Sequence, residues 1–239
     1  MDIKIDIETL PDQREGARDE FIKTAEENFH APSTMNKDML LKGLADKGID
    51  PGKALVPELK ARWADAYRSE MAEPEGDKAY RDTSFGDDGC ICVVCVKTEY
   101  HHVTMLEDSE GDLLEGVFAD IRKLCNQRKP FFIGHNVSWD LERLFHKAVM
   151  LGIDPGFKLP FDGRHGSDYF CTMQAWAGFK KTISQDNLCK RLGIAGKGDM
   201  DGSKVWDTWQ EDPVKVATYC IEDVLTVEKL HKRLTFAGL

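Results

Sequence analysis

The run Cys90-Ile91-Cys92-Val93-Val94-Cys95-Val96 contains no polar side chain, and no other feature narrows the fold as much. A strand that is apolar on both faces has to be covered on both, so it belongs inside a sheet with a layer of structure on each side. A second strand opens the chain. Ile3-Lys4-Ile5-Asp6-Ile7-Glu8 alternates strictly, with isoleucines on one face and acids on the other. Pro11 ends it, because proline cannot donate to a ladder. His102–Leu106 reads as the hairpin partner of the apolar run, and Phe131–Gly134 as a further short strand. Hydrophobic spacing predicts a helix from Asp112 carrying Leu114, Val117, Phe118, Ile121 and Cys125, and another over Trp139–Leu151 stopped by Gly152. A short helix follows the cap residue Ser184, with Leu188, Cys189 and Leu192 inside it and Gly193 at its end. The last begins at Asp212-Pro213 and carries Val216, Cys220, Val224 and Val227. Strands first, then strand alternating with helix, give an α/β chain around a mixed sheet.

From Asp12 to Asp88 the composition turns charge-rich and helix-forming. Met39, Leu40, Leu44 and Ala45 make a helical stripe closed by Gly48, and Leu59, Trp63, Ala66 and Tyr67 make another after Pro57. Glu73–Asp88 holds Pro74, Gly76 and many acids, and is read as a loop. The reading is one domain, 1–239, with 12–88 as a helical insertion. Composition leaves open whether that insertion is a lid, a partner surface or a stabilising appendage.

The chain is 41% hydrophobic, enough to build a core, and has 32 basic against 42 acidic residues, a net charge of −10. That sign excludes a protein that coats nucleic acid through basic excess. It does not exclude a nuclease, whose acids are metal ligands rather than surface charge. The first residues lack a signal-peptide layout, and no apolar run approaches the roughly 20 residues of a membrane helix. Seven cysteines, an odd number set in apolar segments, fit a reduced cytoplasmic chain with no membrane partner. Cys90, Cys92 and Cys95, with His101 and His102 nearby, lack the spacing of a structural zinc site and read as buried thiols. Trp206 and Trp209 read as core residues.

Three places hold acids that can do chemistry. Asp6 and Glu8 lie about 6.6 Å apart on one strand face, at roughly 3.3 Å per residue. Side by side they repel, unless the face is solvated or a cation takes up the charge. Asp140 follows a strand end in Gly134-His135-Asn136-Val137-Ser138-Trp139-Asp140, where α/β sheets gather ligands; a helix N-terminal acid is the plainer reading. Tyr219 and Asp223, four apart, share a helix face.

Taken together these residues resemble the DnaQ-like superfamily of 3′–5′ exonucleases. Asp6-Ile7-Glu8-Thr9 is similar to its first motif. His135-Asn136-x-x-Trp139-Asp140 is similar to the second, with Trp139 where phenylalanine is usual, and Tyr219-x-x-x-Asp223 to the third. The tyrosine places the chain in the branch called DEDDy; the sister branch has histidine where Thr218 stands. Asp6-Ile7-Glu8-Thr9-Leu10-Pro11, Leu192-Gly193-Ile194 with Gly196-Lys197-Gly198-Asp199, and Gly202-Ser203-Lys204-Val205-Trp206 resemble stand-alone phage and bacterial exonucleases related to the proofreading domain of family-B DNA polymerases. The likeness covers 1–11 and about 85–239. Cys171, before Thr172-Met173, departs from it where an acid is expected.

The resemblance implies a ribonuclease-H-like fold with a five-stranded mixed sheet flanked by helices, and hydrolysis at the 3′ end of single-stranded DNA to nucleoside 5′-monophosphates. Its rivals are an exoribonuclease of the ribonuclease D-like type and a non-catalytic nucleic-acid-binding protein on the same fold. Replication or recombination proteins are the expected partners. Two divalent ions about 3.5–4 Å apart supply the nucleophile, the in-line geometry and relief of leaving-group charge. Asp6, Glu8, Asp140 and Asp223 would hold them, and hard oxygen donors select Mg²⁺ or Mn²⁺. Tyr219, with an ordinary pKa near about 10, suits orienting the water better than deprotonating it. By the same resemblance Thr9, Leu10, Asn136 and Trp139 bind substrate, Leu10 as a wedge at the last base. Between Phe157 and Trp206 the basic residues Lys158, Arg164, Lys180, Lys181, Lys190, Arg191, Lys197 and Lys204 outnumber the acids, an arc that either attracts a strand or is a solvated face.

Overall fold

Ile3, Ile5 and Ile7 carry the first strand into the middle of the molecule, and the rest of the fold is arranged around it. The computed structural model describes residues 1–196 and 200–236, so Lys197, Gly198 and Asp199 lie outside the described residues. In chain order the elements are β1 (Asp2–Leu10), α1 (Ala17–Asn28), α2 (Lys37–Asp46), α3 (Val56–Asp82), β2 (Cys90–Lys97), β3 (His101–Met105), α4 (Glu110–Cys125) and β4 (Phe131–Gly134). They continue with α5 (Val137–Leu151), β5 (Tyr169–Cys171), α6 (Thr172–Ala177), α7 (Gln185–Leu192), α8 (Val205–Glu211) and α9 (Pro213–Phe236). The strands form one sheet in the order β3-β2-β1-β4-β5. β1 pairs antiparallel with β2 and parallel with β4, and β4 parallel with β5, so the sheet is mixed.

Each face of the sheet has its own core. The isoleucines of β1 pack with Leu114, Phe118 and Ile121 of α4 and with Val137, Leu141 and Leu144 of α5. Ile3 and Ile5 are fully buried, each contributing roughly 1.5–3 kcal/mol. On the other face Leu10 joins Cys90, Cys92, Val93 and Cys95 of β2 and Val216, Cys220 and Val224 of α9. Every residue of β2 is buried, as its unbroken apolar sequence requires. Its register breaks between Glu8↔Val93 and Thr9↔Ile91, leaving Cys92 as the extra residue of a bulge. That is why Cys92 and Val93, neighbours in sequence, pack in the same cluster. No helix among the described residues is long and apolar enough to cross a membrane.

Clustering of contacts divides the chain into two compact units, 1–10 with 85–239, and 11–84. Within the second, Leu40, Leu44, Leu59 and Trp63 form a separate core, with Trp63 stacked on Tyr67 at 4.5 Å. The loop expected over Glu73–Asp88 is a correction: α3 runs through Pro74 and Gly76 to Asp82. A proline inside a helix costs about 3 kcal/mol, but this turn is held by tertiary packing. A Cβ on Gly76 would lie 2.5 Å from the Ile22 Cα of α1, so the two helices touch backbone to backbone. Asp77 beside it binds Arg18 at 2.6 Å and Arg81 at 2.8 Å.

Elsewhere the spacing places the elements well and their ends less well. α4 starts at Glu110 rather than Asp112, because Ser109 is the cap and accepts the Asp112 N–H at 3.1 Å. α7 is capped by Ser184 and closed by a left-handed Gly193, as expected. At α9 the Asp212 carboxylate accepts the Val214 N–H at 3.1 Å. β5 and α6, three and six residues long, are too short to show a period in the sequence.

Candidate active site

β4 pairs with β1 only at Asp2, Ile3 and Lys4, so the second half of β1 runs on past the end of β4. The Ile7 N–H then finds another acceptor, the Asp140 Oδ1 at 3.3 Å. The turn between β4 and α5 brings Asp140 there. A Cβ on Gly134 would stand 2.8 Å from the Val137 Cβ and 3.0 Å from the Ile5 oxygen, so only glycine lets the chain leave β4 this close to β1. Asn136 takes the left-handed conformation at φ 62°, which asparagine tolerates better than most residues. His135 braces the turn: Nδ1 is 2.9 Å from Thr172 Oγ1 and Nε2 is 2.9 Å from the Ile183 carbonyl. A carbonyl only accepts, so Nε2 carries a proton.

The alternation of β1 points Asp6 and Glu8 away from its isoleucines, toward α9. Glu8, Asp140, Tyr219 and Asp223 are all buried, and Asp6 is half-buried. From α9, Cys220 donates its thiol to the Asp6 carbonyl at 3.4 Å and to Asp6 Oδ2 at 3.5 Å. One ligand atom each from Asp6, Glu8 and Cys220 lies within 4.8 Å of the others. One residue back, the Tyr219 phenol donates to the Asp223 carboxylate. One turn on, the Asp223 carbonyl accepts from the buried Gln185 Nε2 at 3.1 Å.

The electrostatics follow from burying this much acid together. Burial pushes the Asp140 carboxyl up to about 7, helped by the charge of Asp223 and opposed by bonds from its own N–H and that of Ile7. The Tyr219 phenol is raised far above its ordinary value, first by burial and then by Asp223, Glu8 and Asp6. The Cys220 thiol is raised for like reasons, by burial, a bond to Cys95, and the charges of Asp6 and Glu8. Both therefore stay protonated near neutrality. A buried pocket in which carboxylates raise one another's affinity for protons is one that a cation would relieve.

The fold thus gathers five residues from three distant segments around the second half of β1: Asp6, Glu8, Asp140, Tyr219 and Asp223. The matching family model is that of a predicted 3′–5′ exonuclease related to the exonuclease domain of PolB, and it spans residues 89–236, more than half of the chain. The chain belongs to this exonuclease family. A search of curated proteins returns no match. The family match takes in Asp140, Tyr219 and Asp223 but begins after β1, so Asp6 and Glu8 join the exonuclease site through the geometry described above. The mixed five-stranded sheet with helices on both faces is a ribonuclease-H-like arrangement, in keeping with the family.

Other expected residues fare differently. Thr9 is half-buried next to Glu8, Asn136 is exposed at the start of α5, and Trp139 packs partly against the isoleucine-side core. Leu10 is a correction. It is fully buried between β2 and α9, and with no exposed surface it cannot serve as a wedge against a base in this structure. The basic arc also shrinks. Lys158 pairs with Asp162 at 3.9 Å and Lys204 with Asp201 at 3.7 Å, and Lys197 lies outside the described residues. Cys171 takes a cap position at α6, its sulfur accepting the Gln174 N–H at 3.5 Å, so the thiol does the work of the missing acid. Cys90, Cys92 and Cys95 are buried in β2, and burial pushes the Cys90 thiol up to about 12. Trp206 and Trp209 pack against the α9-side core.

Sequence reasoning missed Cys220 and Gln185. Cys220 looked like one more apolar residue of the α9 stripe, although its place directly after Tyr219 and three before Asp223 is a signal that could have marked it. Nothing in the sequence marks Gln185.

Proposed function

We propose that the chain is a DEDDy-type exonuclease that removes nucleotides from the 3′ end of single-stranded DNA as nucleoside 5′-monophosphates, with two divalent cations as cofactors. The observation that carries this reading is the convergence of Asp6, Glu8, Asp140 and Asp223 on one buried place, with Tyr219 hydrogen-bonded to Asp223. The donor set fits a hard cation. Four carboxylates offer only oxygen, and the upward shift of Asp140 is the mark of charge in need of compensation. Asp6, Glu8, Asp140 and Asp223 would hold Mg²⁺ or Mn²⁺, which when bound supplies water activation and relief of charge on the leaving oxygen.

The chain's own residues do the rest. The Ile7 N–H keeps Asp140 turned toward β1, so this carboxylate enters the site from a fixed direction. Cys220 remains a neutral thiol and holds Asp6 through both its carbonyl and its Oδ2. Tyr219 keeps its proton, so it orients by donating a hydrogen bond and does not act as a general base. Asn136, exposed at the start of α5, and Thr9 beside Glu8 are placed to meet the terminal nucleotide.

The test is timed digestion of matched DNA and RNA oligonucleotides, labelled at the 5′ end, with Mg²⁺ or Mn²⁺. A ladder shortening from the 3′ end, faster on DNA, is the expected result. Faster loss of RNA would move the assignment to an exoribonuclease, and no shortening of either would overturn it.

A further inference from the structure

Where α6 ends and α7 begins, an open cavity of about 890 Å³ is lined by Trp176, Lys181, Ser184, Asn187, Lys190 and Arg191 among others. No carboxylate lines it, in a chain whose net charge is −10. Among the described residues no acid pairs with Lys181, Lys190 or Arg191. Asn187, Lys190 and Arg191 stand at i, i+3 and i+4, and so share one face of α7. Opposite them Trp176 is 43% exposed, and Phe179, just beyond, is 81% exposed with the Lys180 ammonium 5.4 Å from its ring. Exposed aromatics interleaved with unpaired cations are the two parts of a single-strand platform: charge for the phosphates, π-faces for the bases.

The cavity wall is tied to the candidate active site at two points. His135, in the turn that delivers Asp140, binds the Ile183 carbonyl, and Gln185, the first residue of α7, binds the Asp223 carbonyl. The wall therefore starts at the acids and leads away along α7. A plainer explanation for Lys190 and Arg191 is that they complement the helix dipole at the end of α7. That explanation says nothing of Lys181, near the other end of α7, or of an exposed tryptophan.

We infer that this groove carries the single-stranded nucleic acid on the 5′ side of the nucleotide being removed, with phosphates on Lys181, Lys190 and Arg191 and a base stacked on Trp176. The inference rests on the exonuclease reading for its direction. Eight residues of helix are about 12 Å long, which matches about three to four phosphates at about 3.4 Å per nucleotide.

The experiment measures binding of a fluorescent dodecathymidylate by anisotropy, in EDTA so that nothing is cut, over a series of salt concentrations. Wild type is compared with Trp176→Ala and with the double variant Lys190→Glu/Arg191→Glu, whose folding is checked by circular dichroism. The expected result is a dissociation constant raised about tenfold or more in each, and a salt slope lowered by about 1.4 in the double variant, at about 0.7 per lost contact on a single strand. With Mg²⁺ present, the lower KM of the dodecamer relative to a dinucleotide shrinks toward equality in the same variants. Should the double variant fail to fold, Lys181→Glu, on an exposed segment, gives the same comparison. Dodecamer binding within twofold of wild type overturns the groove while leaving the nuclease intact. Failure of wild type to cut either substrate overturns the nuclease reading, and the binding series still decides the groove.

Discussion

Replacing Asp140 with asparagine separates the charge of this residue from its shape. The asparagine Oδ1 still accepts the Ile7 N–H, so the bond at 3.3 Å survives while the carboxylate is gone. In the folded, metal-free protein burial raises this carboxyl from 3.8 to about 7. The sign follows directly. Below about pH 4 the group is protonated whether the chain is folded or not, and its charge adds nothing. Between about 4 and about 7 the unfolded chain gives up the proton and the folded chain keeps it, so the folded state loses about 1.36 kcal/mol per pH unit. Above about 7 the loss is complete, at about 4 kcal/mol. Asp140→Asn removes it. Urea unfolding in EDTA should show the variant within about 1 kcal/mol of wild type near pH 4, and about 2–4 kcal/mol more stable near pH 8. The same variant, lacking a cation ligand, should have no exonuclease activity. A difference in stability that is flat across this range, or a variant weaker than wild type at the alkaline end, would refute the argument that Asp140 is held as a strained, buried acid.

Other substitutions probe the remaining parts. Asp6→Ala should abolish strand shortening on an end-labelled oligonucleotide while circular dichroism shows the fold retained; substantial residual cutting would count against its role. Tyr219→Phe should slow the reaction far less than any of the carboxylate changes, since only orientation is lost, and equal losses in kcat would give the phenol a larger part. Leu10→Ala should cost about 2–5 kcal/mol in urea unfolding, as a fully buried leucine does; unchanged stability with a raised KM would restore it as a wedge. Gly134→Ala, which forces a Cβ against Val137 and the Ile5 oxygen, should destabilise by about 1–3 kcal/mol and reduce activity, because Asp140 hangs on the same turn.

Much of the site is legible in the chain because its parts are local. Asp6 and Glu8 reveal a shared face by period two, and Tyr219 and Asp223 by period four, so each pair can be seen without knowing the fold. Asp140 is visible as an acid just past a strand end. What could not be seen is anything that depends on which element lies opposite. Leu10 shares its face with Asp6 and Glu8, and alternation alone would expose it with them; burial comes from α9 closing over that end of β1. Cys220 reads as core by spacing, and becomes a partner of Asp6 only because α9 crosses β1 at that residue. The basic arc, counted along the chain, looked continuous, yet Lys158 and Lys204 turn to acids of their own while Lys181, Lys190 and Arg191 line one groove.

The helix through Pro74 shows the division most plainly. Taken locally, proline, glycine and a run of acids argue for a loop, and the local energies do favour one. The contact of Gly76 with the Ile22 backbone, and the pairing of Asp77 with Arg18, reverse the sign. By itself the amino-acid sequence settled the periods: which residues share a face, where strands are doubly buried, and which acids stand close enough to repel. Only tertiary structure settled what each face meets, because contact between segments far apart in the chain depends on packing the whole core at once, and no short-range pattern carries that information.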